Sequence, residues 1–248
     1  MGVVLPVIEP DWSAPPGVRA CTTTRVGGVS AAPYDQLNLA THVGDAAESV
    51  RRNRDILKNA LNLPEMPRFL EQVHSNCVVR FSRAEKVGDP PVADAAWTDE
   101  AGVVLAVLTA DCLPIVLANR SGTVIAAIHA GWRGLDNGVI ANTLDQLPKD
   151  ENWLAWIGPG LRMDDFEVGA QVRAQLLAHG RALPGHFLPH PQPHKLWLDA
   201  VGIARWQLQQ AGVSTVFDCG LSTLHDKRFF SYRRVTPTGR MATLVWRT

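Results

Sequence analysis

Three apolar runs rich in Val, Leu and Ile stand close together in the middle of the chain: Val103–Thr109, Ile115–Ala118 and Thr123–Ile128. Short runs of this kind, without polar alternation, are expected as strands buried on both faces, and such strands need covering layers. Asp111 and Pro114 break the apolar stretch from Gly102 to Ala118, so it does not read as a membrane span. The pattern calls for a layered core.

Elsewhere, apolar residues recur at helical spacing over Ala47–Leu61, Asn137–Leu147 (after a Gly-rich turn), Val168–His179 and Asp199–Ala211. Ala20–Thr24, Val213–Phe217 and Met241–Trp246 read as strands. Strands and helices interleave without regular alternation, which predicts an α+β fold: a single domain over residues 1–248, with mixed β-sheets flanked by helices. A chain of 248 residues with 46% hydrophobic and 19% charged residues suits one globular core. Lys86–Ala93, with Gly88, Pro90 and Pro91, reads as a surface loop. Pro184–His194 carries four prolines and three histidines and reads as a solvated excursion rather than a metal site.

Charge excludes some partners. Lys+Arg and Asp+Glu both number 24, so no general attraction to nucleic acid or an anionic membrane is expected. Cys21, Cys77, Cys112 and Cys219 are widely spaced, as reduced thiols would be. Met1–Gly17 is Pro-rich and acidic and lacks the basic start of a secretory signal, so a cytoplasmic protein is expected. Pro6 stands where a myristoylation motif at Gly2 needs Ser or Thr.

Three segments place a His or Cys at the edge of an apolar run: Gln72-Val73-His74-Ser75-Asn76, Thr109-Ala110-Asp111-Cys112-Leu113-Pro114 and His129-Ala130-Gly131-Trp132-Arg133-Gly134. Two imidazoles and one thiolate suit zinc and leave a fourth position for water or substrate. Asp111 could then serve as general base or orient a ligand histidine. Against this, each histidine alone suits a structural role, and Cys112 suits a small buried hydrophobe. Gly131 and Gly134 read either as a plain turn or as an opening for backbone amides to reach an anion at the next helix start. Arg25-Val26-Gly27-Gly28-Val29-Ser30 is a second glycine loop with a cation. Phe229-Phe230-Ser231-Tyr232-Arg233-Arg234 reads either as a half-buried strand with a basic end, or as rings and cations holding a planar, anionic ligand.

Taken together, these segments resemble the YfiH-type family, also called the laccase-domain or multicopper polyphenol oxidoreductase family. The likeness runs from Thr23-Thr24-Arg25-Val26-Gly27-Gly28-Val29-Ser30 through Leu37-Asn38-Leu39, His42-Val43-Gly44-Asp45 and Asn53-Arg54. It continues over Gln72-Val73-His74, Ala93-Asp94-Ala95, Ala110-Asp111-Cys112, His129-Ala130-Gly131-Trp132, Gly158-Pro159 and Phe166-Glu167-Val168-Gly169. It ends in Phe229-Phe230-Ser231-Tyr232-Arg233-Arg234 and Thr238-Gly239-Arg240. Two departures stand out. Ser222-Thr223 replaces a usual Cys-Thr, and Arg162-Met163 interrupt the stretch after Gly158-Pro159.

The resemblance implies a YfiH-like, cysteine-hydrolase-like layered domain with zinc on His74, Cys112 and His129. It implies purine nucleoside phosphorolysis, with activity on methylthioadenosine and deamination of adenosine. The catalytic set would be Asp111, Cys112 and His129. Phosphate would fall to Arg25 and Arg233 or Arg234, and the base to Phe229 or Phe230. Gln72 and Arg133 are further expected substrate contacts, and His42 is either a contact or a structural histidine. The family's labels also imply copper-dependent polyphenol oxidation. A third option is a cysteine hydrolase editing a peptidoglycan precursor, with Cys112 as nucleophile and His129 as base. A monomer or homodimer acting on small molecules is expected.

Overall fold

The computed structural model describes residues 4–85, 88–149 and 152–248; Met1–Val3, and Lys86 and Val87 of the expected surface loop, lie outside them. In chain order the elements begin with β1 (Val7–Ile8), β2 (Val18–Thr23), α1 (Ala47–Ala60), β3 (Val78–Arg80), β4 (Ala95–Thr98) and β5 (Val104–Thr109). Next come β6 (Leu113–Asn119), β7 (Ile125–Ala130), α2 (Trp132–Asn137), α3 (Val139–Gln146), β8 (Trp153–Ile157), β9 (Glu167–Gly169) and α4 (Ala170–Ala178). The chain closes with β10 (Phe187–Pro189), β11 (Lys195–Leu198), α5 (Ala200–Gln210), β12 (Thr215–Asp218) and β13 (Met241–Arg247).

The strands form a four-stranded sheet in the order β1-β2-β13-β5, a six-stranded sheet β12-β8-β6-β7-β4-β3 and a small sheet β10-β11-β9. The six-stranded sheet is mixed: β12 and β3 join parallel to β8 and β4, and the other pairs are antiparallel. The fold is therefore a single α+β domain.

Side-chain alternation explains why the central strands are apolar throughout. In β5, Leu105 and Val107 pack between the two large sheets, against Val116, Ile125, Ala127 and Trp156. Val104, Ala106 and Leu108 point the other way, toward Leu57 of α1 and toward Leu37 and Leu39. In β6, Ile115 and Leu117 face Leu135, Ile140, Val201 and Ile203 on the helices of the far side. The layers are thus helix, sheet, sheet, helices. Both inner layers are covered twice, which is why β5, β6 and β7 are buried along their whole length.

Local readings are corrected in three places. The Gly-rich stretch expected as a turn before Asn137 is helix α2, and Gly138 at φ +79° separates it from α3. The residues Val168 and Gly169, expected in a helix, belong to strand β9 because Val168 pairs with Leu196. The Pro184–His194 excursion contains strand β10, and His190 packs on the Trp197 ring at 4.2 Å. Among the described residues no helix is long and apolar enough to cross a membrane.

Candidate metal centre

Strand β5 lies in one large sheet and β6 in the other, so Ala110-Asp111-Cys112 must carry the chain between layers. The crossing is tight enough to put Asp111 at φ +101°, in the left-handed region that non-glycine residues seldom adopt. Its carboxylate accepts from the Thr223 hydroxyl at 2.7 Å and from the Arg233 backbone N–H at 2.6 Å. These contacts pin the turn that presents Cys112.

His129 is the next-to-last residue of β7, opposite Pro114 of β6. Its backbone N–H donates to the Asp94 carbonyl at 2.7 Å, and its ring Nδ1 donates to Asp94 Oδ1 at 2.8 Å. With Nδ1 engaged, Nε2 is the nitrogen left for a metal. His74 sits in the loop before β3 at φ +62°. The backbone N–H groups of Val73, His74 and Ser75 (3.3, 3.0 and 2.6 Å) and the Ser75 hydroxyl (2.8 Å) all donate to the Asp94 carboxylate. One fully buried carboxylate thus shapes the His74 loop and orients the His129 ring. Burial would push its carboxyl up, but the bonds from His129 and Ser75 outweigh this and hold it at about 2.

Cys112 Sγ lies 3.7 Å from His74 Nε2, the two imidazole rings meet edge to face at 4.8 Å, and the three donor atoms lie within 4.8 Å of one another. Around a tetrahedral zinc with bonds of about 2.0–2.3 Å, donors stand roughly 3.3–3.8 Å apart, so the triangle fits after a small contraction. Among the described residues this is the one such cluster. Burial raises the Cys112 thiol, but the neighbouring positive His129 and hydrogen bonds from both histidines pull it down to about 6. Burial opposes the charge on His129 as well, yet Cys112 and Asp94 raise it.

Cysteine labelling should follow this pattern. In chelated protein at pH 7, iodoacetamide is expected to modify Cys112 about ten-fold faster than an ordinary thiol, and zinc should block the reaction. Cys21 and Cys219, pushed up mainly by burial to about 12 and about 11, should stay unmodified. Peptide mass spectrometry reads all four sites; Cys112 labelling that zinc does not slow would contradict the donor set.

Gly131 explains how the donors come so close. A Cβ there would lie 2.9 Å from both Cys112 Sγ and His74 Cδ2. Its small size therefore makes room for the donors. Gly131→Ala is expected to lower zinc affinity at least ten-fold and melting stability by about 1–3 kcal/mol through overpacking. Chelator competition and thermal melts check both.

The triangle lines a pocket of about 410 Å³ together with His42, Gln72, Asp111, Trp132, Arg133, Phe166, Tyr232, Arg233 and Arg240. A larger cleft of about 510 Å³, bordered by Leu144, Lys149, Arg181 and Trp206, contains no such donor cluster. Several expected site residues have other partners. Arg25 pairs with Asp35 at 2.9 Å and stacks over Phe230, and it is not in the pocket lining. Arg234 donates to the carbonyls of Thr223, Leu224 and Phe229. Phe229 and Phe230 are fully buried, so neither can stack on a bound base. Gln72 lines the pocket, but its amide is tied at both ends to the Leu108 backbone, at 2.8 and 2.7 Å. Asp111 touches neither ligand ring, and Asp94 takes the orienting role instead.

The two departures from the family pattern are accommodated away from the donors. Ser222 Oγ donates to Asp165, and Arg162 makes a two-pronged ion pair with Asp218 at 2.6 and 3.0 Å. Asp94 and Arg240 carry no site role in the sequence pattern, and Tyr232 stands out there only as one ring of the Phe229–Arg234 run. For Asp94 a signal existed: a single acid among small apolar residues in Ala93-Asp94-Ala95-Ala96.

A family model described as multi-copper polyphenol oxidoreductase laccase matches residues 19–248. A Shigella flexneri protein named purine nucleoside phosphorylase YfiH is 44% identical over 245 residues, spanning 97% of this chain and 98% of that protein. A Haemophilus influenzae protein named purine nucleoside phosphorylase is 38% identical over 242 residues, spanning 96% and 98%. Among solved structures, a Neisseria meningitidis protein superposes with a TM-score of 0.90 at 42% identity, over 97% of this chain and 98% of that one. YlmD from Geobacillus stearothermophilus superposes with a TM-score of 0.85 at 32% identity, over 98% and 99%.

Proposed function

The chain belongs to the multi-copper polyphenol oxidoreductase laccase family, and on that premise we propose that it is a zinc-dependent purine nucleoside phosphorylase. In this reading it also cleaves methylthioadenosine and deaminates adenosine. The observation that carries the proposal is a His–Cys–His donor triangle at the wall of a pocket that also holds three arginines and three aromatic rings. The names of relatives at 38–44% identity support phosphorolysis as the reaction.

His74, Cys112 and His129 would hold the metal, and the nitrogen–sulfur–nitrogen set with a fourth position open suits zinc. Bound there, zinc supplies Lewis acidity and draws the pKa of a water ligand toward about 7. The chain's own groups divide the remaining tasks. Trp132, Phe166 and Tyr232 offer faces and edges for a purine. Arg133 and Arg233 bring positive charge to the rim, where a phosphate attacking the ribose needs neutralising. Asp111, oriented by Thr223 and Arg233, is the carboxylate of the lining, suited to moving a proton as the base departs or as an amino group is displaced.

Zinc-loaded and chelated protein should be incubated with adenosine, inosine and methylthioadenosine, with and without phosphate. Free base and ribose phosphate are expected only with both metal and phosphate. No turnover of any of the three would sink the reading. Copper oxidation is the weaker alternative, because one three-donor cluster among the described residues gives a single metal position, whereas reduction of oxygen to water takes four electrons. Copper(II) outcompetes zinc for such donors, so added copper alone could give incidental activity. Stoichiometric copper and no zinc in protein purified without added metal would reverse the preference.

One observation favours a second reading. Cys112, His129 and Asp94 stand in the order thiol, imidazole, carboxylate, which is the arrangement of a cysteine hydrolase. That enzyme would act on a peptide-like substrate such as a peptidoglycan precursor. It requires activity that survives chelation and an acyl group trapped on Cys112, both readable by mass spectrometry.

A further inference from the structure

Arginines surround the pocket, and most of them are already committed. Arg25 is paired with Asp35, Arg54 donates to the Leu39 carbonyl through Nε and Nη2 at 3.0 and 2.8 Å, and Arg234 caps three carbonyls. Of the three that line the pocket, Arg133 is exposed and lies over the Trp132 ring at 4.5 Å. Arg233 is exposed and tethered through Nη2 to the Glu167 carbonyl at 3.1 Å.

Arg240 differs from both. It immediately precedes β13, whose first residue Met241 pairs with Thr109, so the ladder sets Arg240 beside the Ala110-Asp111-Cys112 crossing. Its backbone N–H donates to Asn38 Oδ1 at 3.0 Å, and its carbonyl accepts from Leu39 N–H at 3.3 Å. Its Nη1 donates to the carbonyls of Thr238 and Gly239 at 2.9 and 3.0 Å. The guanidinium is therefore held by its own loop, while Nε and Nη2 make no hydrogen bond among the described residues. No carboxylate there pairs with it either. A half-buried cation with one edge fixed and the other edge free is arranged for an oxyanion. The rest of the lining agrees: Arg133 and Arg233 line the same pocket, and Asp111 is the single carboxylate among the described lining residues. This balance favours a dianion over a singly charged group.

We infer that Arg240, flanked by His42, forms the subsite that holds a phosphate dianion next to the His–Cys–His centre. The inference deepens the phosphorylase reading and rests on it for the role of phosphate as co-substrate. The free Nε–Nη2 edge engages two phosphate oxygens, and Arg133 and Arg233 screen the remaining charge at the rim.

The test is calorimetric titration of zinc-loaded protein with inorganic phosphate, alongside the phosphate KM at saturating inosine. Arg240→Gln is expected to weaken phosphate binding and raise the phosphate KM by roughly 30–100-fold, with the inosine KM changed less than about three-fold. Arg240→Lys keeps the charge but loses the fork, and should fall between it and the parent. Arg133→Gln should change phosphate binding by only a few-fold. Phosphate binding by Arg240→Gln equal to the parent, or an equal loss in Arg133→Gln, overturns the inference. If thermal melts show that Arg240→Gln is poorly folded, Arg240→Lys carries the test, and unweakened binding there overturns it. Acetate binding as tightly as phosphate would overturn the assignment of the anion. Failure of the phosphorylase reading looks different: parent protein that binds phosphate through Arg240 yet cleaves no nucleoside.

Discussion

Cys112→Ala is expected to lower zinc affinity by about two to three orders of magnitude and nucleoside turnover by at least as much, with the fold retained. Binding of zinc to a site with four protein ligands is worth about 10–16 kcal/mol, so one ligand of such a site accounts for roughly 2.5–4 kcal/mol. The thiolate is also the one anionic donor in the triangle, and neither histidine can replace its charge. The fold should survive because Cys112 occupies the crossing between sheets, whereas the layers are held by fully buried neighbours such as Leu113, Ile115 and Ile128. Metal analysis after purification and competition with a chromogenic chelator measure the first effect, and circular dichroism measures the second. A variant retaining one equivalent of zinc and parental turnover would remove Cys112 from the centre.

Asp94 should be nearly as sensitive although it touches no metal. Asp94→Asn keeps the size and an acceptor oxygen but removes the charge that holds His129 Nδ1–H and the Val73–Ser75 amides in place. Loss of such an orienting carboxylate typically lowers metal affinity or activity 10–100-fold, and that is the expected range. Asp94→Ala should in addition lose about 3–5 kcal/mol of stability, because buried N–H donors and a positive ring are left without a partner. The sign with pH follows from the carboxyl being held near 2, below its unfolded value of about 4. The native state favours the ionised form, so this contribution is complete above pH 4 and lost as the pH falls toward 2. Melts of the parent and Asp94→Ala at pH 7 and pH 3 should therefore show a clearly smaller gap at the acid end. A gap between them that stays constant would show that Asp94 acts through packing alone.

Much of the fold was legible because burial on both faces leaves a plain mark. Val103–Thr109 and Thr123–Ile128 were read as strands from unbroken apolar runs, and they are β5 and most of β7. The amphipathic pattern over Ala47–Leu61 is α1 to within a residue. Short strands escaped notice. Ala95–Thr98 is too brief and too rich in alanine to show a period, and Lys195–Leu198 lies beside a proline-rich stretch. Trp153–Ile157 did carry an apolar run of the right length and was overlooked.

The donor residues were legible as residue types at strand edges, and their family spacing singled out His74, Cys112 and His129. Partnership was not legible. Arg25 and Arg234 look like free cations in the sequence, yet the fold turns them onto Asp35 and onto three backbone carbonyls. Phe229 and Phe230 look like rings available to a ligand, yet both are sealed inside the protein.

Residue types and their local order are enough to mark the buried strands, the three side chains with the chemistry of a metal site, and the family this chain joins. Each of these depends on the properties of residues near one another in the chain. That Asp94 orients His129, that Arg240 has Nε and Nη2 unpaired among the described residues, and that Tyr232 rather than Phe229 lines the pocket emerges only on folding. The physical reason is separation along the chain. Asp94 meets His129 across 35 residues and Thr223 meets Asp111 across 112, and such contacts exist only once two sheets have packed and the chain has crossed between them.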